Sequence, residues 1–474
     1  MLKLHPLDVA IIFGYFVFII FIGSRLWRRE KHSGVKSYLL AGRQLSLPAF
    51  VATLVSTWYG GILGVGEYAY KYGVSNWLVF GVPYYLAAAI FAIFIAQKAR
   101  ELELYTIPHQ LEIAYGKYVS IIGAFFVFVM TVPAAYILML AVLMKYLFGL
   151  PLFWGLVISA LFSTGYVLIG GFRSVIRTDV VQFSLMFLSF LILLPVAYFN
   201  YGGGDFLKTQ LPANHLVWHG GMGAQYIVVW FFIALATLIE PGFYQRCFAA
   251  QTKKIAQRGI FISIAFWICF DFMTTFTGLY ARAVLPHLSD PVTSYLALGH
   301  KLLPPVVYGL FLTGLMATIM STIDSYSFLA AMTFGRDFLW RIQNKSSPKL
   351  IKKYTRIGLL VSGVLAIAIA ISAQSVVRIW KNLGSIGTPA LMIPLSVSFF
   401  PKLKMRKKFA LTSIIISALI STIWVFSKSF NSGKYLLGIE PIFPGLVFSL
   451  TMLLLDKLSH RFSRRQNNVR DLHQ

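Results

Sequence analysis

Between Gly314 and Ser327 the chain reads Gly314-Leu315-Met316-Ala317-Thr318-Ile319-Met320-Ser321-Thr322-Ile323-Asp324-Ser325-Tyr326-Ser327, six hydroxyls and one carboxylate in an otherwise apolar run. On a helix, Thr318, Ser321, Thr322 and Ser325 stand at i, i+3, i+4 and i+7 and share one face, as do Ser321, Asp324 and Ser325. Hydroxyls, backbone carbonyls and a carboxylate are the ligands of a hard cation, and a sodium ion takes about five or six such oxygens. A lone Ser or Thr in such a helix bonds its own backbone one turn back or joins two helices. A stripe beside an embedded acid leaves these structural readings and the ion site both open.

A second segment, Ala52-Thr53-Leu54-Val55-Ser56-Thr57-Trp58-Tyr59-Gly60-Gly61-Ile62-Leu63-Gly64-Val65-Gly66-Glu67, holds four glycines in seven residues. That density opposes a continuous helix. A helix broken at membrane depth is tolerated only where it lines a cavity, and the break frees carbonyls for an ion and N–H groups for a solute. A small-residue packing face is the competing reading. Trp58 and Tyr59 fall mid-segment, away from an aromatic belt, where their rings would cover a solute. With Ser56 and Thr57 they form the candidate solute site.

A third segment runs Gly170-Gly171-Phe172-Arg173-Ser174-Val175-Ile176-Arg177-Thr178-Asp179-Val180-Val181-Gln182. The Gly pair is expected to end one helix and Thr178 to cap the next. Asp179 then lies in a first turn, where pairing with Arg173, Arg177 or the helix dipole competes with ion binding. Ionisable residues inside membrane segments are functional candidates by default. Glu67, Glu240 and Asp271 join that group; the first two, near segment ends, read equally well as pairing with a nearby base. Asp271, in Trp267-Ile268-Cys269-Phe270-Asp271-Phe272, has no assigned role.

The elements that must position these groups follow from composition. The 474 residues are 58% hydrophobic and 12% charged, against about 25% charged in soluble domains. This excludes a soluble enzyme, a disordered chain and a disulfide scaffold; Cys247 and Cys269 are too few for the last. About thirteen apolar stretches of roughly 20 residues are long enough to span a bilayer: 7–27, 46–70, 76–98, 118–146, 152–171, 178–200, 225–245, 259–284, 302–333, 355–376, 379–400, 408–428 and 435–456. Lys and Arg number 42 against 16 Asp and Glu, a net +26. In a soluble protein that would suggest nucleic acid. Here about 32 of the 42, Arg246 among them, fall on alternate loops, so the excess reads as topology: N-terminus outside, C-terminus cytoplasmic. The first stretch lacks a small-residue cleavage site and is followed by Arg25, Trp27, Arg28 and Arg29, so it reads as a retained span. The Asn344-Lys345-Ser346 sequon falls in an expected cytoplasmic loop, where glycosylation is not expected.

Together these segments resemble the sodium:solute symporter family. Gly170 to Gln182 is similar to its signature before the sixth span, Ala317 to Ser325 to its sodium-binding span, and Gln245-Arg246-Cys247-Phe248-Ala249-Ala250-Gln251 to its cytoplasmic boundary after the seventh span. The resemblance covers nearly the whole chain. It implies an all-α integral membrane protein with a LeuT-like five-plus-five inverted-repeat core in spans two to eleven. The implied division is 1–45, first transmembrane helix and basic loop; 46–200, first repeat; 201–224, extracellular loop; 225–400, second repeat; and 401–474, two peripheral helices and a basic tail. By matching positions, sodium would be held by the carbonyls of Ala52, Val55 and Thr318 and the hydroxyls of Ser321 and Thr322. A second ion site of some members maps to Asp179, Ser321, Asp324 and Ser325. Asp324 replaces a small polar residue of several relatives, which leaves an altered second site or a proton role open. The polar residues of sugar-carrying members correspond here to Ile233, Ala236 and Trp267, and Tyr59 stands for a sugar-contacting glutamine, which argues against a hexose.

The expected function is therefore sodium-coupled symport of a small organic solute — amino acid, organic acid, vitamin-like compound or sugar — by alternating access. The setting would be the plasma membrane, a bacterial inner membrane, with Na⁺ as coupling ion, no organic cofactor and no nucleic-acid partner; a monomer that is not an enzyme is expected. A proton-coupled carrier relaying through Asp179, Asp324 or Asp271 is the rival. A multi-span enzyme or sensor lacks a nucleotide loop or a His-and-acid cluster to support it.

Overall fold

Apolar chain inside a bilayer satisfies its backbone by helix formation, and among the described residues every element is helical, apart from an isolated bridge between Leu45 and Ala250. The computed structural model describes residues 4–25, 34–343, 347–373 and 375–471. Arg28, Arg29, Lys31 and the Asn344 sequon lie outside them. The membrane helices are α1 (Pro6–Arg25), α2 (Leu47–Trp58), α3 (Ile62–Tyr72), α4 (Trp77–Glu101), α5 (Lys117–Phe148), α6 (Leu152–Phe162), α7 (Gly170–Tyr201), α8 (Ala224–Ala249), α9 (Lys253–Val284), α10 (Val307–Trp340), α11 (Leu350–Ala373), α12 (Val376–Ser398), α13 (Lys407–Phe430) and α14 (Ile442–Asp471). The expected apolar stretches fall on these helices, 46–70 on both α2 and α3 and 152–171 on α6 and the start of α7. Among the described residues nine are long and apolar enough to cross a membrane, ten with α2 and α3 taken as one bent span. The apolar parts of α1 and α6 are shorter, and α12 carries Pro389 and Pro394.

Helix α10 runs through the centre, packed along α7 and against α1, α2 and α11, while α13 and α14 lie with α12 at the periphery. Small residues permit these approaches. A Cβ added at Gly314 of α10 would stand 2.6 Å from the Leu185 carbonyl oxygen of α7. One added at Gly60 would fall on the Thr322 side chain. The glycine-rich second segment is broken as expected: α2 and α3 meet at 59° across Tyr59–Gly61.

The third segment departs from expectation. The helix runs on from Leu152 to Tyr201 and only kinks at Gly171, whose φ of 60° and ψ of −157° suit glycine alone. Thr178 is no cap: its hydroxyl donates back to the carbonyls of Ser174 and Val175 at 3.1 and 3.0 Å. Asp179 therefore sits about two turns beyond the kink, not in a first turn. A second broken span was not anticipated. Helix α8 tightens over Leu235–Ile239 and restarts at Pro241. Pro is at home in a first turn, and Glu240 caps it by accepting from Gly242 N at 3.1 Å. The restarted helix ends at Ala249, where Leu45 N donates to the Ala249 carbonyl at 3.0 Å.

Candidate functional site

The hydroxyl stripe of α10 faces the last turns of α2. Thr322 donates to the carbonyl of Thr57 at 2.7 Å, next to the helix break. Ser321 Oγ donates to Asp179 Oδ1 at 2.7 Å and lies 2.9 Å from Ser56 Oγ. Ser325 and Thr57 share a hydrogen bond of 2.9 Å, and Thr53 donates to Asp179. Thr318 donates back to Gly314 and Ser56 to Ala52, at 2.7 and 2.9 Å. Three helices thus bring oxygens together: α2 with Ala52, Thr53, Ser56 and Thr57; α7 with Asp179; α10 with Thr318, Ser321, Thr322 and Ser325; Val55 is buried on the same stretch of α2. All of these residues are buried. Asp324 is fully buried on α10, near Tyr15 of α1.

By its place among the basic residues after the seventh stretch, Arg246 is expected in a cytoplasmic loop. The structure corrects this: Arg246 lies in the restarted part of α8 and is fully buried. Its Nη2 shares its two protons among Thr53 Oγ1 at 2.9 Å, Thr57 Oγ1 at 2.8 Å and Ser325 Oγ at 2.7 Å, and lies 3.5 Å from Asp179 Oδ2. Its Nη1 donates to Gln245 Oε1, and its guanidinium lies over the Phe172 ring. Asp179 is thus paired with Arg246, not with Arg173 or Arg177. A charge tally over loops cannot find such a residue. A signal existed: Phe243, Tyr244, Cys247 and Phe248 flank Arg246, too apolar a setting for a loop.

Above the break lies a cavity of about 700 Å³. Of the four residues expected at the solute, Trp58 and Tyr59 line it. Ser56 and Thr57 turn their hydroxyls into the polar cluster instead. Ile233, Ala236 and Trp267 are on its wall, with the acids Glu67, Glu240 and Asp271. Glu67 pairs with Lys71 at 2.5 Å, as a nearby base was expected to provide. The cavity lining also includes Tyr72 at the end of α3, Gln225 at the start of α8 and Glu440 just before α14. Cys247 and Cys269 are both free, and among the described residues no group of His, Cys, Asp and Glu is arranged to hold a metal ion.

Comparison with known proteins is consistent across sequence and fold. The chain is 26% identical to the sodium/pantothenate symporter of Haemophilus influenzae, covering 96% of this chain and 98% of that one. It is 24% identical to sodium/proline symporter 2 of Staphylococcus saprophyticus, covering 92% and 89%. A solved Na⁺-coupled sialic acid symporter in a substrate-bound outward-open state superposes with a TM-score of 0.80 at 17% identity, covering 97% of this chain and 98% of that one. This likeness shows the fold, a LeuT-like helical core. Residues 38–417 match the sodium:solute symporter family. The polar cluster lies between a broken helix and a hydroxyl-striped one, beneath a cavity and inside a multi-pass membrane fold, and the chain belongs to the sodium:solute symporter family.

Proposed function

We propose that one sodium ion binds between α2 and α10, on the carbonyls of Ala52, Val55 and Thr318 and the hydroxyls of Ser321 and Thr322. The observation that carries this is the contact of Thr322 Oγ1 with the Thr57 carbonyl at the broken end of α2. It joins the freed backbone of one helix to the hydroxyl stripe of the other. Sodium bridging the two would hold the break closed under the cavity, with Trp58 and Tyr59 against a small organic solute. A state that binds ion and solute together more tightly than either alone couples the two gradients.

The second ion position, Asp179, Ser321, Asp324 and Ser325, is served differently. Arg246 brings a tethered positive charge to Asp179, Thr53, Thr57 and Ser325. We assign to it the place a second cation would take, so one sodium is carried per cycle. The same engagement makes Asp179 a poor proton relay.

The division into repeats 46–200 and 225–400 is supported by the interruption at the start of each: α2 with α3, and α8 at Glu240. Interrupted helices at matching repeat positions mark transporter binding sites. Thirteen spans, an outside N-terminus and a cytoplasmic C-terminus follow from the basic loops. With bacterial relatives this supports a bacterial inner membrane, and the cavity then faces outward.

Thermal unfolding of the purified chain tests the ion site. Sodium should raise Tm over equal potassium. Ser321→Ala with Thr322→Ala should remove that rise while leaving the Tm in potassium within a few degrees. An undiminished sodium effect in the double variant contradicts the assignment.

A further inference from the structure

The cavity wall contains an acid with no assigned role in coupling. Asp271 is 3% exposed, lines the cavity and accepts a hydrogen bond from Tyr85. Among the described residues no Lys or Arg forms an ion pair with it. The other charges of the wall are already answered: Lys71 by Glu67 at 2.5 Å, Lys381 by Glu440 at 3.0 Å, and Glu240 by the helix N-terminus it caps. Trp267 stands four residues before Asp271 and so shares its helical face.

Aromatic rings line the same cavity as this carboxylate, in two groups. In one, Trp58 meets Tyr84 at 5.8 Å and Trp267 at 5.7 Å between centroids. In the other, Tyr136 meets Trp380 at 5.8 Å. All five rings line the same cavity. Aromatic faces are electron-rich and attract cations, above all alkylated ammonium groups that are weakly hydrated. A carboxylate kept out of water without a cation partner is costly, and a cationic solute is the partner that offsets this. Anionic solutes, such as carboxylates without an amine, would instead meet Asp271 as a like charge.

We infer that the solute is a small organic ammonium compound, a quaternary or alkylated amine, whose positive group sits among Trp58, Trp267, Tyr84, Tyr136 and Trp380 with Asp271 as its counter-charge. This rests on the reading of the cavity as the solute site of a sodium-coupled carrier.

The test uses the purified full chain in sodium, with choline and acetylcholine as probes. Their neutral carbon isosteres, 3,3-dimethylbutan-1-ol and its acetate, serve as controls. At least one ammonium probe should raise Tm and bind about tenfold or more tighter than its isostere. Asp271→Asn, isosteric and without the charge, should weaken that binding about tenfold or more. The same variant should keep the Tm shift given by sodium alone, which also shows that it is folded. Equal binding of probe and isostere, stabilisation by pantothenate but by neither ammonium probe, or undiminished ammonium binding in Asp271→Asn would each overturn the inference. Loss of the sodium shift in the unmodified chain would instead strike the ion-site reading, so the two failures are distinguishable.

Discussion

Arg246 and Asp179 face each other 3.5 Å apart, Nη2 to Oδ2, both fully buried. They come from α8 and α7, and the same guanidinium nitrogen also reaches Thr53 and Thr57 of α2 and Ser325 of α10. One cation therefore ties four helices together at the base of the broken span. Removing one member of a buried pair strands the other charge, which costs about 3–5 kcal/mol. Arg246→Gln and Asp179→Asn should each lose stability on that scale in a denaturation series. The double variant should be less destabilised than the sum of the two. Strict additivity would show that the pair is not a unit.

The same residue bears on ion stoichiometry. With Arg246 in place, sodium-dependent stabilisation should follow a single-site curve, with a Hill coefficient of about 1. Arg246→Ser vacates positive charge beside Asp179, Ser321 and Ser325 and should admit a second sodium, raising the coefficient toward about 2. A coefficient above 1 in the unmodified chain would contradict the tethered-cation assignment.

Gly60 makes a steric prediction. A Cβ there lands on Thr322, whereas one at Gly64 finds Trp380 at an ordinary 3.7 Å. Gly60→Ala should push α10 from the break and weaken sodium binding about tenfold or more, at a stability cost of about 1–3 kcal/mol. Gly64→Ala should be nearly neutral in a sodium-dependent melt. Equal effects would remove the role given to the close approach.

On the face carrying the basic loops, Arg336 lies 3.3 Å from His109 Nδ1 and 2.6 Å from Asp337, and Arg341 pairs with Glu112 at 2.5 Å. Burial first, then Arg336 and Arg341, hold the His109 ring down at about 3 against its usual 6.5. The unfolded chain therefore binds a proton here that the folded chain refuses between those values. The contribution is fully present above about pH 6.5 and falls away as pH drops toward 3. Tm should decline over that window, and His109→Gln should flatten the part due to this ring. An unchanged slope would show that other groups set it.

How far these features were legible depends on their range in sequence. The broken span could be read because Gly60, Gly61, Gly64 and Gly66 are adjacent. The α10 stripe could be read because helical spacing alone places Thr318, Ser321, Thr322 and Ser325 on one face. The Arg246–Asp179 pair joins residues 67 apart, and nothing local in either segment points to the other. Thr178 looked like a cap because a Gly pair preceded it, but glycine can kink a helix without ending it, as Gly171 does. Asp271 shares its cavity with Tyr85, Tyr136 and Trp380 from three other helices, a lining that only packing assembles.

Whether an ion is held between α2 and α10 is decided by equilibrium binding of radioactive sodium to the purified full chain. One sodium per chain should bind, displaced by unlabelled sodium and not by potassium, and it should be lost in Ser321→Ala with Thr322→Ala although that variant still unfolds cooperatively. Binding of unchanged affinity and stoichiometry in the folded double variant would contradict that placement.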